Sequence, residues 1–437
     1  MVAAALALAT GTGTFAQGRI EFEEYDLDNG LHVILHQDKS TPIVAISVLY
    51  HVGSKNEDPG KTGFAHFFEH LLFEGSENIG RGEYMSLVQS NGGALNANTT
   101  NDRTFYYEIL PSNQLELGLW MESERMLHAK IDQVGVDTQR EVVKEERRQR
   151  YENRPYGSFL EKMFMYSFPE YVYEWTPIGS MEDLNSAKLE DFLDFYKRFY
   201  SPNNATLSIA GDIDIEKTKE LIAKYFADIP KGPEVVQPTM DPKPLAAEKR
   251  EVIPDNVQLP GLFIGYRVPK ETNDDAYALQ MLSRVLSDGQ SSRLYKKMVD
   301  QDQSAVQVAA FNYGLENAGL FITVAIANMG KDIDSLEATI NQEIERIKTE
   351  LISEKEYEKV LNSLENDFVT SNSRMAGIAE SLANYHVYYG NTNLINTEIE
   401  RYRKVSREDI QRVAKEYLNK DNRVVLIYVP KEKEQNP

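Results

Sequence analysis

The chain has 437 residues, 41% of them apolar, with 68 acidic against 47 basic side chains, a formal charge of −21 and no cysteine. That length exceeds what a single hydrophobic core usually serves, about 250 to 300 residues, so at least two domains are expected. The acidic balance argues against a nucleic-acid or anionic-membrane partner, since both are met by basic surfaces, and the lack of cysteine excludes thiol catalysis and thiolate metal ligands.

Val2 to Ala9 is a run of Ala, Leu and Val, followed by a Gly/Thr segment and then Thr14, Phe15, Ala16, Gln17. This has the form of an apolar signal core with a small-residue cleavage site. It is too short to span a bilayer. Residues 1–16 are therefore expected to be a signal peptide, cut after Ala16, that exports the protein to a bacterial periplasm.

Strands are expected at 32 to 37 and 43 to 51, and a helix over 61 to 75. Thr62 stands as its N-cap behind Pro59 and Gly60, Phe64, Phe67, Phe68, Leu71 and Leu72 recur at helical spacing, and Gly75 is the stop. Inside it, His66, Phe67, Phe68, Glu69 and His70 form the pattern H-x-x-E-H. On a helix the two imidazoles lie one turn apart on one face and reach a common metal ion, with Glu69 bordering the same place. Two nitrogen donors beside a carboxylate suit a zinc hydrolase site. Two core histidines bonded to backbone are the plain alternative, but a chance pair at this spacing is improbable with only seven histidines in the chain.

Residues 92 to 111 read as a glycine turn, a strand, a polar turn and an aromatic strand at 104 to 110 that ends at Pro111. Helices follow at 113 to 128 and 137 to 152, the second opening after Asp137 and running to Asn153 before Pro155. A catalytic zinc needs a third protein ligand. Glu146 is the candidate, because Val142 and Val143 set the buried side of this helix and Glu146 follows them by four and three residues. Glu145 points about 100° away from it. Zinc would lower the pKa of a bound water from about 15.7 to about 7, and Glu69 would take its proton and pass it to the leaving amine.

The inverted motif at 66 to 70, the following Leu71 to Ser76, the Arg-x-Val-Val-x-x-Glu run ending at Glu146, and the 76-residue spacing from His70 to Glu146 together resemble the pitrilysin/insulinase family of zinc metallopeptidases. The resemblance implies that His66, His70 and Glu146 bind one zinc ion per chain, with Glu69 as general base. It extends to the Gly-Gly-x-x-Asn-Ala-x-Thr-x-x-Asp-x-Thr-x-Tyr pattern from Gly92 to Tyr106. There it implies that Ala94, Leu95, Asn96 and Ala97 form an exposed sheet edge on which a peptide lies as an added strand.

A proline-rich run from Pro230 to Glu248 suggests a linker at 231 to 249 between a zinc-binding domain at 19 to 230 and a second domain at 250 to 432. The halves look related. Residues 189 to 212 read as a helix, a Pro-Asn turn and the strand 205 to 210, and residues 406 to 429 as a helix (406 to 418), an Asn-Lys-Asp turn and the strand 423 to 429. Further strands are expected at 262 to 267, 305 to 312 and 320 to 327, and helices at 274 to 286, 331 to 350 and 353 to 372. The fold class is α+β, two related domains that are each an antiparallel sheet backed by helices. The resembling family arranges such domains as a clamshell.

Ser291 to Tyr295 is similar to a helix of the family that, in active subunits, is followed by an arginine and, seven residues on, a tyrosine that help hold the substrate carbonyl. Those positions here are Val299 and Val306, and neither side chain donates a hydrogen bond. Loss of such a donor typically costs about 2.7 to 4 kcal/mol of barrier. The chain thus resembles the zinc-bearing subunit of a heterodimeric peptidase whose homologous partner lacks the zinc motif and supplies the Arg and Tyr, a homodimer being the other assembly. Two alternatives stand beside a peptidase. One is a non-catalytic peptide-binding or scaffold subunit, which has no need to keep His66, Glu69, His70 and Glu146. The other is a zinc hydrolase of another bond type, opposed by the sheet edge and the resemblance.

Overall fold

The structure, a computed structural model, describes residues 18–241 and 245–431. The expected signal peptide lies outside the described residues, as does part of the expected linker. In the first half the strands are β1 (Glu23–Asp26), β2 (His32–Gln37), β3 (Ile43–Tyr50), β4 (Ala94–Thr99), β5 (Thr104–Pro111) and β6 (Ala205–Gly211). Its helices are α1 (Phe64–Leu71), α2 (Glu83–Ser90), α3 (Leu115–Leu127), α4 (Gln133–Arg147), α5 (Phe159–Ser167), α6 (Met181–Ser186), α7 (Leu189–Phe199) and α8 (Ile215–Phe226). The second half has β7 (Lys249–Asp255), β8 (Gly261–Val268), β9 (Ala305–Gly314), β10 (Gly319–Ala327) and β11 (Arg423–Pro430). Its helices are α9 (Asp275–Ser287), α10 (Ile333–Thr349), α11 (Glu354–Ser371), α12 (Met375–Tyr389), α13 (Leu394–Lys404) and α14 (Arg407–Tyr417).

The two sheets run β1-β2-β6-β3-β5-β4 and β7-β11-β8-β10-β9. With β1 set aside, the strand orders coincide. Both are antiparallel except for one pair, β2 with β6 and β7 with β11, which run parallel because most of the half-chain separates their members. The repeat seen in sequence is visible as α7–β6 and α14–β11, each joined by a single 3-10 turn, Pro202–Asn204 and Lys420–Asn422.

Strands β6, β8 and β10 are buried along their whole length, and β3 is buried at every residue but Ile43. Both faces of each sheet must therefore be covered, which explains why these strands read as predominantly apolar runs rather than alternating ones. One face of each sheet carries helices of its own half. The other is covered by a helix from the opposite half: Ile378, Ala379 and Leu382 of α12 pack on Ile34, Ala45 and Ala210 of the first sheet. Reciprocally, Met163 and Phe164 of α5 pack on Phe263, Leu320 and Leu426 of the second. The exchanged helices occupy matching places in the two halves, each being the third α-helix after its hairpin, β4–β5 or β9–β10, and neither was anticipated from the sequence.

Three local expectations need correction. The first concerns α1, which starts at Phe64 with Gly63 as N-cap at φ 91°, a left-handed turn that favours glycine; a Cβ there would lie 2.9 Å from the Ile178 carbonyl oxygen. Thr62 does not cap it, because its backbone N–H and its hydroxyl both go to Asp183. The second concerns α4, which begins one turn earlier than Asp137, with Asp132 accepting the Gly135 N–H at 2.8 Å. The third concerns the buried side of α4: Val143 is fully buried but Val142 is 44% exposed, so only one of the two valines faces the core.

Candidate active site

Helix α1 is held from both ends. The buried Glu57 carboxylate accepts the Gly63 and Ala65 N–H groups, both at 2.9 Å, and the Trp175 indole N–H at 2.9 Å, so a side chain several residues upstream satisfies the first orphan amides. Beyond the other end, the Arg125 guanidinium donates to the Leu72 carbonyl at 3.1 Å, is paired with the buried Glu122 at 3.0 Å, and packs over the rings of Phe73, Tyr84 and Tyr106. Phe64, Phe67 and Phe68 pack on Phe192 of α7, and the Tyr106 hydroxyl donates to the Phe68 carbonyl at 2.8 Å. The apolar face so fixed leaves His66, Glu69 and His70 on the opposite side.

Helix α4 is pinned by polar bonds. Gln139 donates to Glu74, Arg140 to the carbonyls of Leu184 and Ala187, and Arg147 to the Gly179 carbonyl at 2.7 Å and to Glu161 at 2.8 Å. The result brings Glu146 to the two histidines. His70 Nε2 is 3.2 Å from Glu146 Oε2, His66 Nε2 is 3.6 Å from Oε1, and the three donor atoms lie within 4.8 Å of one another. Directly after Glu146 the helix loosens into a π-turn at Arg148–Glu152, a form often found at functional sites. Glu145 points elsewhere, to Arg148 and Gln149.

Burial disfavours the Glu146 anion, but His66, His70 and Arg150 outweigh it and hold the carboxyl well below the usual carboxylate range. Arg150, one turn further on, lies 2.7 Å from Oε1. The Nδ1 atom of His66 is buried with no hydrogen bond. Two imidazoles, an ionised carboxylate and only partial exposure form a donor set that fits zinc.

Glu69 borders this cluster, and its Oε2 accepts a hydrogen bond from Thr99 Oγ1 at 2.7 Å. Thr99 ends β4, the outer strand of the first sheet, which pairs only with β5 among the described residues. Of the four positions expected at this edge, Ala94 and Asn96 are exposed, Leu95 is half-buried and Ala97 is buried. Ala97 lies in the core cluster with the α1 phenylalanines, and Thr99, two residues on, shares its face. Sequence reasoning placed Thr99 only within the substrate-binding stretch, with no role beside Glu69, and named neither Arg150 nor Glu57. The strand period from Ala97 and the helical period from Glu146 were signals for the first two; nothing local pointed to Glu57. Val306 lies 49% exposed on β9, and Val299 sits in a π-helical turn at Tyr295–Gln301.

A duplicated α+β fold whose first copy carries this donor set defines the class of M16 peptidase-like proteins. The chain belongs to that family: residues 32–166 match Insulinase (Peptidase family M16), and residues 186–364 match the Peptidase M16 inactive domain. It is 31% identical to Zinc protease PqqE of Helicobacter pylori over 429 residues, covering 97% of this chain and 96% of that protein. It is 23% identical over 402 residues to a probable mitochondrial-processing peptidase subunit beta of Arabidopsis thaliana, covering 90% of this chain and 75% of that one. A crystal structure of a protease from Helicobacter pylori superposes with a TM-score of 0.90 at 30% identity, covering 94% of this chain and all of that one. The periplasmic protease PqqL from Escherichia coli matches with a TM-score of 0.72 at 19% identity, covering 93% of this chain but 47% of that one.

Proposed function

We propose that the protein is a zinc-dependent peptidase and the catalytic member of a pair. The observation that carries this reading is the meeting of Glu146 with His66 and His70 across 76 residues of sequence, with Glu69 held beside them by the outer strand. His66, His70 and Glu146 would hold the ion. When bound, zinc supplies Lewis acidity towards a water molecule and a peptide carbonyl.

The chain's own residues do the rest. Glu69 accepts the proton of the attacking water on a carboxylate oxygen and returns it to the departing amine. The Thr99 hydroxyl keeps that carboxylate in one orientation. The free edge of β4, at Ala94, Leu95, Asn96 and Ala97, takes the peptide as an added strand, so that main-chain hydrogen bonds place a carbonyl near the cluster whatever the side chains. Peptide bonds are favoured over other amides because the edge that receives the substrate is itself a strand.

The pairing rests on Val299 and Val306, where no hydrogen-bond donor is available for the substrate carbonyl. It also draws on two relatives: a chain of this fold spans about half the length of PqqL, and the Arabidopsis protein is described as a subunit. A homologous partner that supplies Arg and Tyr completes the site. We also assign the protein to the periplasm, from the apolar run and Ala16 at residues 2–16.

The test is cleavage of an unstructured peptide library by the zinc-loaded chain with and without its homologous partner, with Glu69→Gln as control. Slow cleavage alone and fast cleavage when paired is the expected result. Full rate from the lone chain removes the partner claim. No cleavage by the zinc-loaded pair leaves a peptide-binding subunit, the second reading favoured by the two valines.

A further inference from the structure

A cavity of about 350 Å³ opens where the end of α11 and the start of α12, both from the second half, meet β5 of the first. That volume is at the small end for a ligand site, room for one long side chain rather than a whole peptide. Phe105 and Tyr107 of β5 form its aromatic wall, and Thr370, Ser371, Arg374 and Glu380 of the second half line the rest. The corner between the two helices is tight. Gly377 sits so close to the Ser371 carbonyl oxygen that a Cβ would lie 2.0 Å from it.

The place of the cavity relative to β4 follows from strand register. Phe105 pairs with Asn98 and Tyr107 with Asn96. Paired residues of neighbouring strands share a face, so Asn96 and Asn98 stand on the cavity's side of the sheet, whereas Ala97 and Thr99 face α1. A peptide added at the free edge of β4 continues this alternation. Every second side chain then stands on the face where the cavity lies.

Charge decides the occupant. Glu380 is matched: with Asn384 it takes the Arg103 guanidinium, from the turn between β4 and β5, which also donates to Asn98 at 3.3 Å and lies over the Phe105 ring. Arg374 is not matched. It is exposed at the N-cap of α12 and, among the described residues, has no ion pair or hydrogen bond. An unpaired guanidinium beside an aromatic wall suits a carboxylate on a short apolar stem, the stem lying on the rings and the two oxygens meeting the fork of N–H groups. A lysine or arginine side chain would instead meet Arg374 and Arg103, with only the already paired Glu380 to offset them.

We propose that this cavity is a specificity pocket that selects an acidic side chain, aspartate or glutamate, at one position of the bound peptide, with Arg374 as the residue that reads it. Because the exchanged helix α12 builds the pocket, the half without the metal centre chooses what the other half receives. The inference rests on the peptide lying along β4, as proposed above.

The experiment is cleavage of a peptide library by the zinc-loaded full chain, with products sequenced by mass spectrometry, followed by a matched set carrying Glu, Gln or Lys at the selected position. The Glu peptide should be cleaved with a kcat/KM about five- to tenfold above its Gln twin, and the Lys peptide should be slowest. The preference should appear at one position and be absent from both neighbours, whose side chains face the α1 side. Arg374→Lys should keep most of it, Arg374→Ala should erase it, and Arg374→Glu should turn it towards Lys; the side chain is exposed, so none of these costs packing. An acidic preference that survives Arg374→Glu, or none in wild type, overturns the pocket while the peptidase reading stands. If no peptide is cleaved with or without the homologous partner, that reading falls, and fluorescence anisotropy of the labelled peptides on the same zinc-loaded chain decides the pocket. Tighter binding of the Glu peptide that reverses in Arg374→Glu supports it, and equal binding overturns it.

Discussion

Thr99 Oγ1 donates a 2.7 Å hydrogen bond to Glu69 Oε2, so the last residue of the outer strand grips the carboxylate of the H-x-x-E-H helix. The strand proposed to receive substrate and the group proposed to move the proton are thereby one mechanical unit. A hydrogen bond to a charged group contributes about 1.5 to 3 kcal/mol.

Thr99→Val should then lower kcat about 10- to 100-fold while KM and bound zinc change little, because the hydroxyl orients Glu69 and touches no ligand. Thr99→Ser should restore most of the rate. Steady-state kinetics on one peptide decides it, and an unchanged kcat in Thr99→Val removes the orienting role.

Glu146→Gln replaces an ionised donor with a neutral amide between two imidazoles, and Arg150 then faces no carboxylate. Zinc affinity at this centre should fall at least tenfold, whereas Glu145→Gln, whose side chain points to Arg148 and Gln149, should leave it unchanged. Competition against a chromogenic chelator reads both.

Acid should weaken the junction between the halves through Glu316. Burial opposes its ionisation, but His51 at 2.8 Å and the buried Lys55 outweigh it and lower the pKa from 4.5 to about 2. The folded value lies below the unfolded one, so this stabilisation is complete above about pH 4.5 and is lost as pH falls towards 2. Glu316→Gln should cost on the order of 2 to 3 kcal/mol near neutral pH and flatten the acid limb of stability in that window. Denaturant unfolding from pH 7 to 2 measures it; parallel curves for wild type and variant would refute the assignment.

The exchanged helices make each half dependent on the other. A fragment of residues 18–230 would expose the sheet face of Ile34, Ala45 and Ala210, so it should aggregate or remain molten alone and recover when co-expressed with residues 245–431. Leu382→Ala in the full chain removes a fully buried side chain from that contact and should cost about 2 to 5 kcal/mol. A soluble first-half fragment with sharp cooperative unfolding would contradict this.

Several elements were legible in the sequence because short-range physics alone sets them. His66 and His70 share a face because 3.6 residues make a turn, β3, β6, β8 and β10 declare themselves by predominantly apolar runs without alternation, and α7–β6 and α14–β11 repeat one local pattern. The proposed third metal ligand, Glu146, was legible through its helix and the family resemblance together.

What the sequence determined, then, is the class of fold, its duplication and the residues at its proposed metal centre. Only the tertiary structure decided that Glu57 caps α1, that Val142 faces outward, that α5 and α12 change places, and that Thr99 holds Glu69. Each of these depends on which distant surfaces come together, and spacing along a chain records the period of one element but not the face of another that will cover it.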